Sequence, residues 1–246
     1  MDIIGVIPAR FSSTRFEGKV LAKIMGKSML QHVWERAGGA LLLDELIIAC
    51  DDERVAQVAR EFGAKVTMTS KDHLSGTDRI VEVINPIEVK IAINIQADEP
   101  LIHPTMIDSL ARELLADSGI SVATLIKKIE DNAELDDPNI VKVVADKNKF
   151  ALYFSRAAIP YKANNSEIQD PVYYKHIGLY GYTKDFLFTF KNLPPSSLEN
   201  IEKLEQLRVL EEGFRIRLIE TKYETIGVDV PEDLKRVIEH LEKEKS

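Results

Sequence analysis

Three cations stand close together near the start of the chain. A buried-strand pattern, Ile3–Ile7, runs into Pro8, Ala9 and Arg10, and Arg15 and Lys19 follow with small hydroxyl residues between them. In a parallel sheet, ligands gather beyond the carboxyl ends of strands. Backbone N–H groups and three basic side chains at such an end make a cradle for a polyphosphate. A solvated loop whose cations balance nearby acids is the plain alternative. The loop is neither Gly-x-x-x-x-Gly-Lys-Ser/Thr nor Gly-x-Gly-x-x-Gly, so no Walker loop or dinucleotide fingerprint is present. Asp98 follows a second strand pattern, Ile91–Ile95, and Asp229 follows Ile226-Gly227-Val228, also read as a strand end. Carboxylates at two strand ends can share Mg2+, a hard cation that takes oxygen ligands. Turn-forming or capping is the commoner job for an isolated Asp in that position. Ser75-Gly76-Thr77-Asp78-Arg79 lies between a strand and a helix, and Ser75 or Thr77 would serve there as an N-cap. His176 and Tyr180, four apart in an aromatic strand, share one face, where a packed and hydrogen-bonded His is the ordinary reading.

The elements that must position these groups follow from periodicity. Short β-branched runs at Ile3–Ile7, Leu46–Ala49, Ala64–Met68 and Ile91–Ile95 alternate with helical patterns at Met29–Ala40, Asp52–Phe62 and Asp78–Ile84. That alternation predicts a mostly parallel sheet covered by helices on both faces. From about Ser121 the texture changes to apolar–polar alternation at Val122–Ile126, Val141–Val144, Ala151–Phe154 and Tyr173–Tyr182, which predicts a β-rich excursion with mixed or antiparallel strands. Helices return at Asp185–Lys191, Leu198–Glu212 and Pro231–Lys243, and the polar stretch Lys162–Pro171 reads as an exposed loop. In the Leu198–Glu212 helix, Leu198, Ile201, Leu204 and Leu207 form the apolar side, with Glu205 and Arg208 projecting close to it. Charged groups there are costly unless paired or used, so an internal Glu205–Arg208 pair or a ligand is expected. Pro231 opens the last helix with Glu232 and Asp233 in its first turn, which puts Val230 at the cap and leaves the Asp229 carboxylate outside the helix. No repeat or low-complexity linker divides the 246 residues, so a single α/β domain, 1–246, is the simplest account, with halves at about 1–120 and 121–246.

Composition narrows the functional classes. Apolar residues make up 45% and charged residues 29%, the balance of a globular chain. A net charge of −8 gives no electrostatic footprint for nucleic acid, so bound phosphate needs a local basic cluster. The single cysteine, Cys50, excludes an intrachain disulfide and a multi-cysteine metal site. No apolar run approaches the ~20 residues of a spanning helix, and the first residues lack the basic region of a signal peptide. A reducing, cytoplasmic setting without membrane insertion is the expectation.

Blocks of residues along nearly the whole chain resemble one family. Ile7-Pro8-Ala9-Arg10, Ser12-Ser13-Thr14-Arg15, Gly18-Lys19 and Met29-Leu30-Gln31-His32-Val33 are similar to the opening of the 3-deoxy-manno-octulosonate (Kdo) cytidylyltransferases, or CMP-Kdo synthetases. The likeness continues through Ser75-Gly76-Thr77-Asp78-Arg79, Asn94-Ile95-Gln96-Ala97-Asp98-Glu99-Pro100, Ser155-Arg156, His176-Ile177-Gly178-Leu179-Tyr180, Leu204-Glu205-Gln206-Leu207-Arg208 and Gly227-Val228-Asp229. The opening fits many sugar nucleotidyltransferases, and the Ser-Arg, His-x-x-x-Tyr and Glu-Gln blocks narrow it to the Kdo branch. The resemblance implies a three-layer nucleotidyltransferase-like fold, with the β-rich excursion, Tyr173–Tyr182 and the preceding loop, forming a homodimer contact. It implies attack of the sugar's anomeric hydroxyl on the α-phosphorus of CTP, giving CMP-Kdo for lipopolysaccharide synthesis and pyrophosphate. Arg10, Lys19, Asp98 and Asp229 would be catalytic, Asp98 and Asp229 holding Mg2+. Pro8, Ala9, Arg10, Arg15, Lys19, Ser75, Gly76, Thr77, Arg79 and Gln96 would bind the nucleotide, with Lys27 as a helper. Arg156, His176, Tyr180, Glu205 and Gln206 would bind the sugar acid.

The chain departs from the family pattern at three positions. Ala97 stands where Gly is usual before the metal Asp, which is tolerated if that backbone avoids positive φ. Glu17 replaces Pro and brings a negative charge near Lys19, and Cys50 replaces a hydroxyl residue, where a small packed side chain is expected. The rival readings are a cytidylyltransferase for 8-amino-Kdo or sialic acid, a metal-dependent glycosyltransferase, and a non-catalytic CTP-binding homologue in which Ala97 disables the metal site. Gln96-Ala97-Asp98 lacks the Asp-x-Asp common in the second.

Overall fold

Side-chain alternation along strand β1 (Ile3–Ala9) sorts the interior into two cores. Ile3 and Ile7 belong to one, Ile4 and Val6 to the other, and all four are buried. This is the signature of a sheet covered on both faces. The computed structural model describes residues 1–12, 16–73, 75–164, 166–168 and 170–244, with the side chain of residue 244 excluded.

After β1 come one 3-10 turn (Lys19–Leu21), the short hairpin β2 (Lys23–Ile24) and β3 (Lys27–Ser28), and α1 (Met29–Ala37). Then β4 (Glu45–Cys50), α2 (Glu53–Glu61), β5 (Lys65–Met68), α3 (Gly76–Ile84), β6 (Ile91–Asn94) and α4 (Pro104–Ala116) complete the first half. The second half holds β7 (Val122–Lys128), α5 (Asn132–Asp136), β8 (Lys142–Ala145), β9 (Ala151–Ser155), β10 (Tyr174–Thr183), α6 (Lys184–Asn192), α7 (Ser197–Glu202), α8 (Gln206–Glu211), β11 (Arg217–Glu220) and α9 (Pro231–Glu244). The 9-stranded sheet runs β11-β7-β10-β6-β1-β4-β5, with β8 and β9 built off β10. Along that path only the two pairings of β10, with β6 and β7, are antiparallel. Helices α1, α2, α4 and α9 bury their apolar sides on one face and α3, α6 and α8 on the other, giving three layers with a mostly parallel centre.

The expected strands and helices of the first half are present, with ends moved by a few residues. Asp52 and Ser75 prove to be caps: Asp52 accepts from Arg54 N, and Ser75 and Asp78 form a reciprocal capping box. The β-rich excursion is the antiparallel trio β8, β9 and the start of β10, where Tyr174 faces Val143. The described residues of 162–171 form no helix or strand.

Three expectations need correction. Leu198–Glu212 is not one helix: Lys203 adopts the left-handed conformation (φ 57, ψ 45) and separates α7 from α8. Ile201 is consequently 75% exposed rather than on an apolar side. The Arg208 guanidinium is taken by Glu199, with Nε donating at 2.8 Å, so Glu205 meets Arg208 through charge rather than as the expected hydrogen-bonded pair. Finally, Ile226–Val228 is extended chain without a strand ladder, so Asp229 does not project from a strand end. Helices α4 and α5 and strand β11 are additions to the sequence reading.

Candidate active site

Beyond the carboxyl end of β1 lies a cleft of about 200 Å3, lined by Pro8, Arg10, Lys19, Val20, His73, Ser75, Gly76, Arg79, Gln96, Ala97 and Asp98. The loop between β1 and Lys19 is closed by a hydrogen bond from Gly18 N to Phe11 O at 3.0 Å. Gly18 sits at φ 66, where other residues are disfavoured, and a Cβ there would meet the Phe11 ring at 3.1 Å. The guanidinium of Arg54 lies 3.5 Å from the centroid of Phe11, tying the loop to α2. Glu17 is exposed and faces that Arg54. On the opposite wall stands the N-terminus of α3, where Ser75 and Gly76 line the cleft and the helix dipole favours anions. Gly76 permits this approach, since a Cβ there would stand 3.3 Å from Pro8 Cγ.

At the cleft floor the Lys19 ammonium joins two acids remote in sequence. Its Nζ donates to Asp98 Oδ2 at 2.6 Å, to Asp229 Oδ1 at 3.3 Å and to the Val228 carbonyl at 3.0 Å. Asp98 follows β6 by way of Ile95, whose N–H donates to Val6 O at 2.9 Å, and the buried Ala97. Among the described non-glycine residues only Met25, Lys149 and Lys203 have positive φ, so Ala97 carries its methyl without strain. Asp229 is brought in by a hydrogen bond from Val228 N to Asp98 O at 2.9 Å. The Asp233 carboxylate accepts from Asp229 N at 2.9 Å and Val230 N at 3.1 Å, so Asp233, rather than Val230, supplies the side-chain contact at the start of α9. Neighbouring Glu99 is part-buried with its Oε2 shielded, and burial, with the charges of Asp98 and Asp229 adding to it, pushes its carboxyl up to about 8.

Two hard oxygen donors already gathered around one cation form a donor set that fits a divalent ion such as Mg2+. Among the described residues no three His, Cys, Asp or Glu side chains converge to hold a metal. The remaining positions would therefore fall to phosphate oxygens and water, the usual habit of Mg2+.

Arg10 is exposed and at the cleft. Arg79 is 3% exposed and binds protein groups: Asp51 Oδ2 at 2.8 Å, the Ser70 carbonyl at 3.2 Å and the Thr69 hydroxyl. Gln96 donates to Asn94 Oδ1 at 3.4 Å. Ala9 is buried and does not line the cleft, Arg15 falls outside the described residues, and Lys27 pairs with Glu35 at 2.6 Å rather than entering the site. His73, paired with Glu82, is a lining residue that sequence reasoning missed. Its only signal was proximity to the Ser75 cap. Cys50 is fully buried, and burial raises its thiol to about 11, so it is a packing residue.

The remaining candidates stand in a neighbouring cluster. Thr77, the second residue of α3, donates to Glu205 Oε2 at 3.1 Å, which joins the cleft wall to the start of α8. Burial raises the Glu205 carboxyl above its usual range. The rings of His176 and Tyr180 lie 5.3 Å apart on one face of β10. Between Ile177 and Tyr180 the register with β7 shifts, so that His176 faces Ile126 and Tyr180 faces Thr124. Two extra residues in β10 keep the alternation intact. The buried Thr124 hydroxyl holds this bulge at the Leu179 carbonyl, 2.9 Å away, and lies 3.0 Å from His176 Nε2. Burial pushes His176 down to about 3. Gln206 is buried beside Glu205. Arg156 is turned to the protein, with Nε donating to the Glu202 carbonyl and Nη1 to the Pro138 carbonyl, both at 2.9 Å.

The chain is similar to several known proteins. A family model described as Cytidylyltransferase matches residues 4–221. The 3-deoxy-manno-octulosonate cytidylyltransferase of Solibacter usitatus is 56% identical over 96% of this chain and 92% of its own length. That of Geobacter metallireducens is 50% identical over 99% of both. A solved structure of CMP:2-keto-3-deoxy-manno-octonic acid synthetase complexed with CTP superposes with a TM-score of 0.93 at 43% identity, covering 99% of this chain and 100% of that one. The 4-diphosphocytidyl-2C-methyl-D-erythritol synthase of Anaerococcus prevotii, at 10% identity and a TM-score of 0.64, shares the fold.

Proposed function

The chain belongs to the 3-deoxy-manno-octulosonate cytidylyltransferase family, and from that premise we propose that it transfers CMP from CTP to the anomeric hydroxyl of Kdo, releasing pyrophosphate. The observation that carries this reading is the meeting of Asp98 and Asp229 on Lys19 at the floor of the cleft. Such a displacement needs charge neutralised on the phosphates and an aligned nucleophile more than a covalent residue. Arg10 and Lys19 present cations to the triphosphate, with Arg15 as a further contact. Gly76 and Pro8 bound the nucleotide, with Ser75 and Ala9 beside them holding the two walls, and Gln96 offers its amide to the base. Arg79 supports that wall by bracing the 51 and 69–70 loops. Asp98 and Asp229 would hold Mg2+, which, when bound, polarises phosphate oxygens and lowers the pKa of a coordinated hydroxyl.

The sugar acid is assigned to the cluster of His176, Tyr180, Glu205 and Gln206, and Arg156 would meet its carboxylate by releasing the Glu202 and Pro138 carbonyls it now holds. His176, kept neutral by burial, and the Tyr180 hydroxyl suit sugar hydroxyls. We further propose that two copies assemble through the β-rich excursion, where Leu152, Tyr161, Ile168 and Val172 expose apolar surface. The reaction belongs to a reducing, cytoplasmic compartment. In keeping with this, the sole thiol is buried and unreactive, and no described helix is long and apolar enough to cross a membrane.

The test is pyrophosphate release from CTP with Mg2+ across a panel of Kdo, 8-amino-Kdo and sialic acid, with the product identified by mass. Formation of CMP-Kdo at the highest kcat/KM is expected. Preference for another acid would replace the sugar assignment, and CTP binding without turnover on any of them would overturn the enzymatic one.

A further inference from the structure

Glu99, next to Asp98, has no part in the reaction described so far, yet it is seated with care. Its carboxyl turns away from the cleft toward the segment that carries Asp229. A Cβ on Gly227 would stand 3.2 Å from Glu99 Oε1 and 3.8 Å from its Cδ, so an added methyl would push the carboxyl from its seat by a few tenths of an ångström. The Thr225 side chain hydrogen-bonds the same group. Oε2 is buried and borders a small cavity of about 10 Å3 shared with Gln96, Ile102, Met106 and Thr225. Two contacts flank this seat and close the same two segments on each other. Val228 N donates to Asp98 O at 2.9 Å on one side. On the other, the rings of His103 and Tyr223 stack at 3.6 Å and 8°.

Segment 221–229 has no strand ladder of its own, so its place depends on such point contacts. Asp98 and Asp229 repel each other wherever they converge, and the Lys19 ammonium now offsets that repulsion. We infer that Glu99 is a positioning residue: seated against Gly227 and Thr225, it clamps the Asp229 segment to the Asp98 loop so that both carboxylates can face one divalent cation. Glu99 is not itself a third ligand, because no three acidic, His or Cys side chains converge among the described residues. The inference rests on the reading that Asp98 and Asp229 hold that cation.

Two measurements test it on the full-length protein. Amide hydrogen exchange, without nucleotide or metal, reads the clamp directly, and electron paramagnetic resonance of Mn2+ with CTP reads its consequence. Glu99→Ala and Gly227→Ala are expected to speed exchange at Val228 by about tenfold or more while β4 amides stay as in the wild type. The same variants should weaken Mn2+ binding by about tenfold, and Glu99→Gln, which preserves shape and hydrogen bonding, should restore both. Should Glu99→Ala fail to fold, Gly227→Ala makes the comparison alone. Unchanged exchange at Val228 overturns the clamp. Faster exchange with unaltered Mn2+ affinity overturns the positioning role. Faster exchange in a protein whose wild type binds no Mn2+ leaves the clamp standing and removes the divalent-cation reading instead.

Discussion

Lys19 reaches across 79 and 210 residues of sequence to Asp98 and Asp229. Replacing either acid by Asn deletes a hard oxygen ligand while leaving the volume unchanged. Turnover should fall by at least about 100-fold in Asp98→Asn and Asp229→Asn, followed as pyrophosphate release, with circular dichroism unaltered. Wild-type rates in either variant would end the metal-site reading. A second expectation concerns His176, whose pKa is lowered from 6.5 to about 3 by burial. The unfolded chain then binds more protons than the folded one between those values, so stability is complete above about pH 6.5 and is lost as pH falls toward 3. The melting temperature should decline through that window, and His176→Phe should flatten the decline. An identical acid profile in the variant would assign the loss to other groups. Arg10, Lys19 and the two acids were legible because they stand in blocks that resemble the family; their charge alone had plain structural uses. Glu99 and His73 were not, since each acts through a partner, Gly227 or Glu82, that only the fold brings near.

At the level of elements, the break at Lys203 is the clearest departure from periodicity. Leu198, Ile201, Leu204 and Leu207 repeat at helical spacing, and nothing in that pattern announces a left-handed residue between them. The contacts around the break are tertiary or span it: Glu199 takes Arg208, and Glu205 takes Thr77. Lys203→Gly relieves the positive φ and is expected to add about 1 kcal/mol, roughly 2–4 °C in Tm, with turnover retained. A lower Tm would show that the lysine side chain supports the turn. Strands of the first half were legible because buried parallel strands read as continuous β-branched runs. Helix α4 carries an equally plain repeat in Met106, Ile107, Leu110, Ala111 and Leu114 behind Pro104. Its cap, however, is His103, whose Nδ1 accepts from Thr105 N at 3.2 Å, and His is not among the usual capping signals. The segment Ile226–Val228 shows the opposite error, a β-branched pattern whose backbone meets Asp98 O and the Lys19 ammonium at Val228 instead of a ladder.

For the whole molecule, a net charge of −8 surrounds a cleft that carries Arg10 at its mouth and Lys19 between two acids at its floor, so capture of a nucleotide would depend on local cations rather than on the general field. The proposed assembly predicts a solution mass of two chains by light scattering. Leu152→Asp combined with Ile168→Asp should shift it to one, and a wild-type monomer would remove the interface. The two halves should also melt together, with calorimetric and van't Hoff enthalpies equal; two resolved transitions would separate them. That expectation comes from β10, which is bonded to β6 beside the cleft and to β7 and β8 beside His176. A single strand would thus serve as the common rail for both proposed subsites, and among the described residues it joins the two halves where a pair of jaws would need a seam. Any closing over bound reactants must be carried out by peripheral segments, so the order in which CTP and the acid are admitted should be governed by the rim and not by the frame.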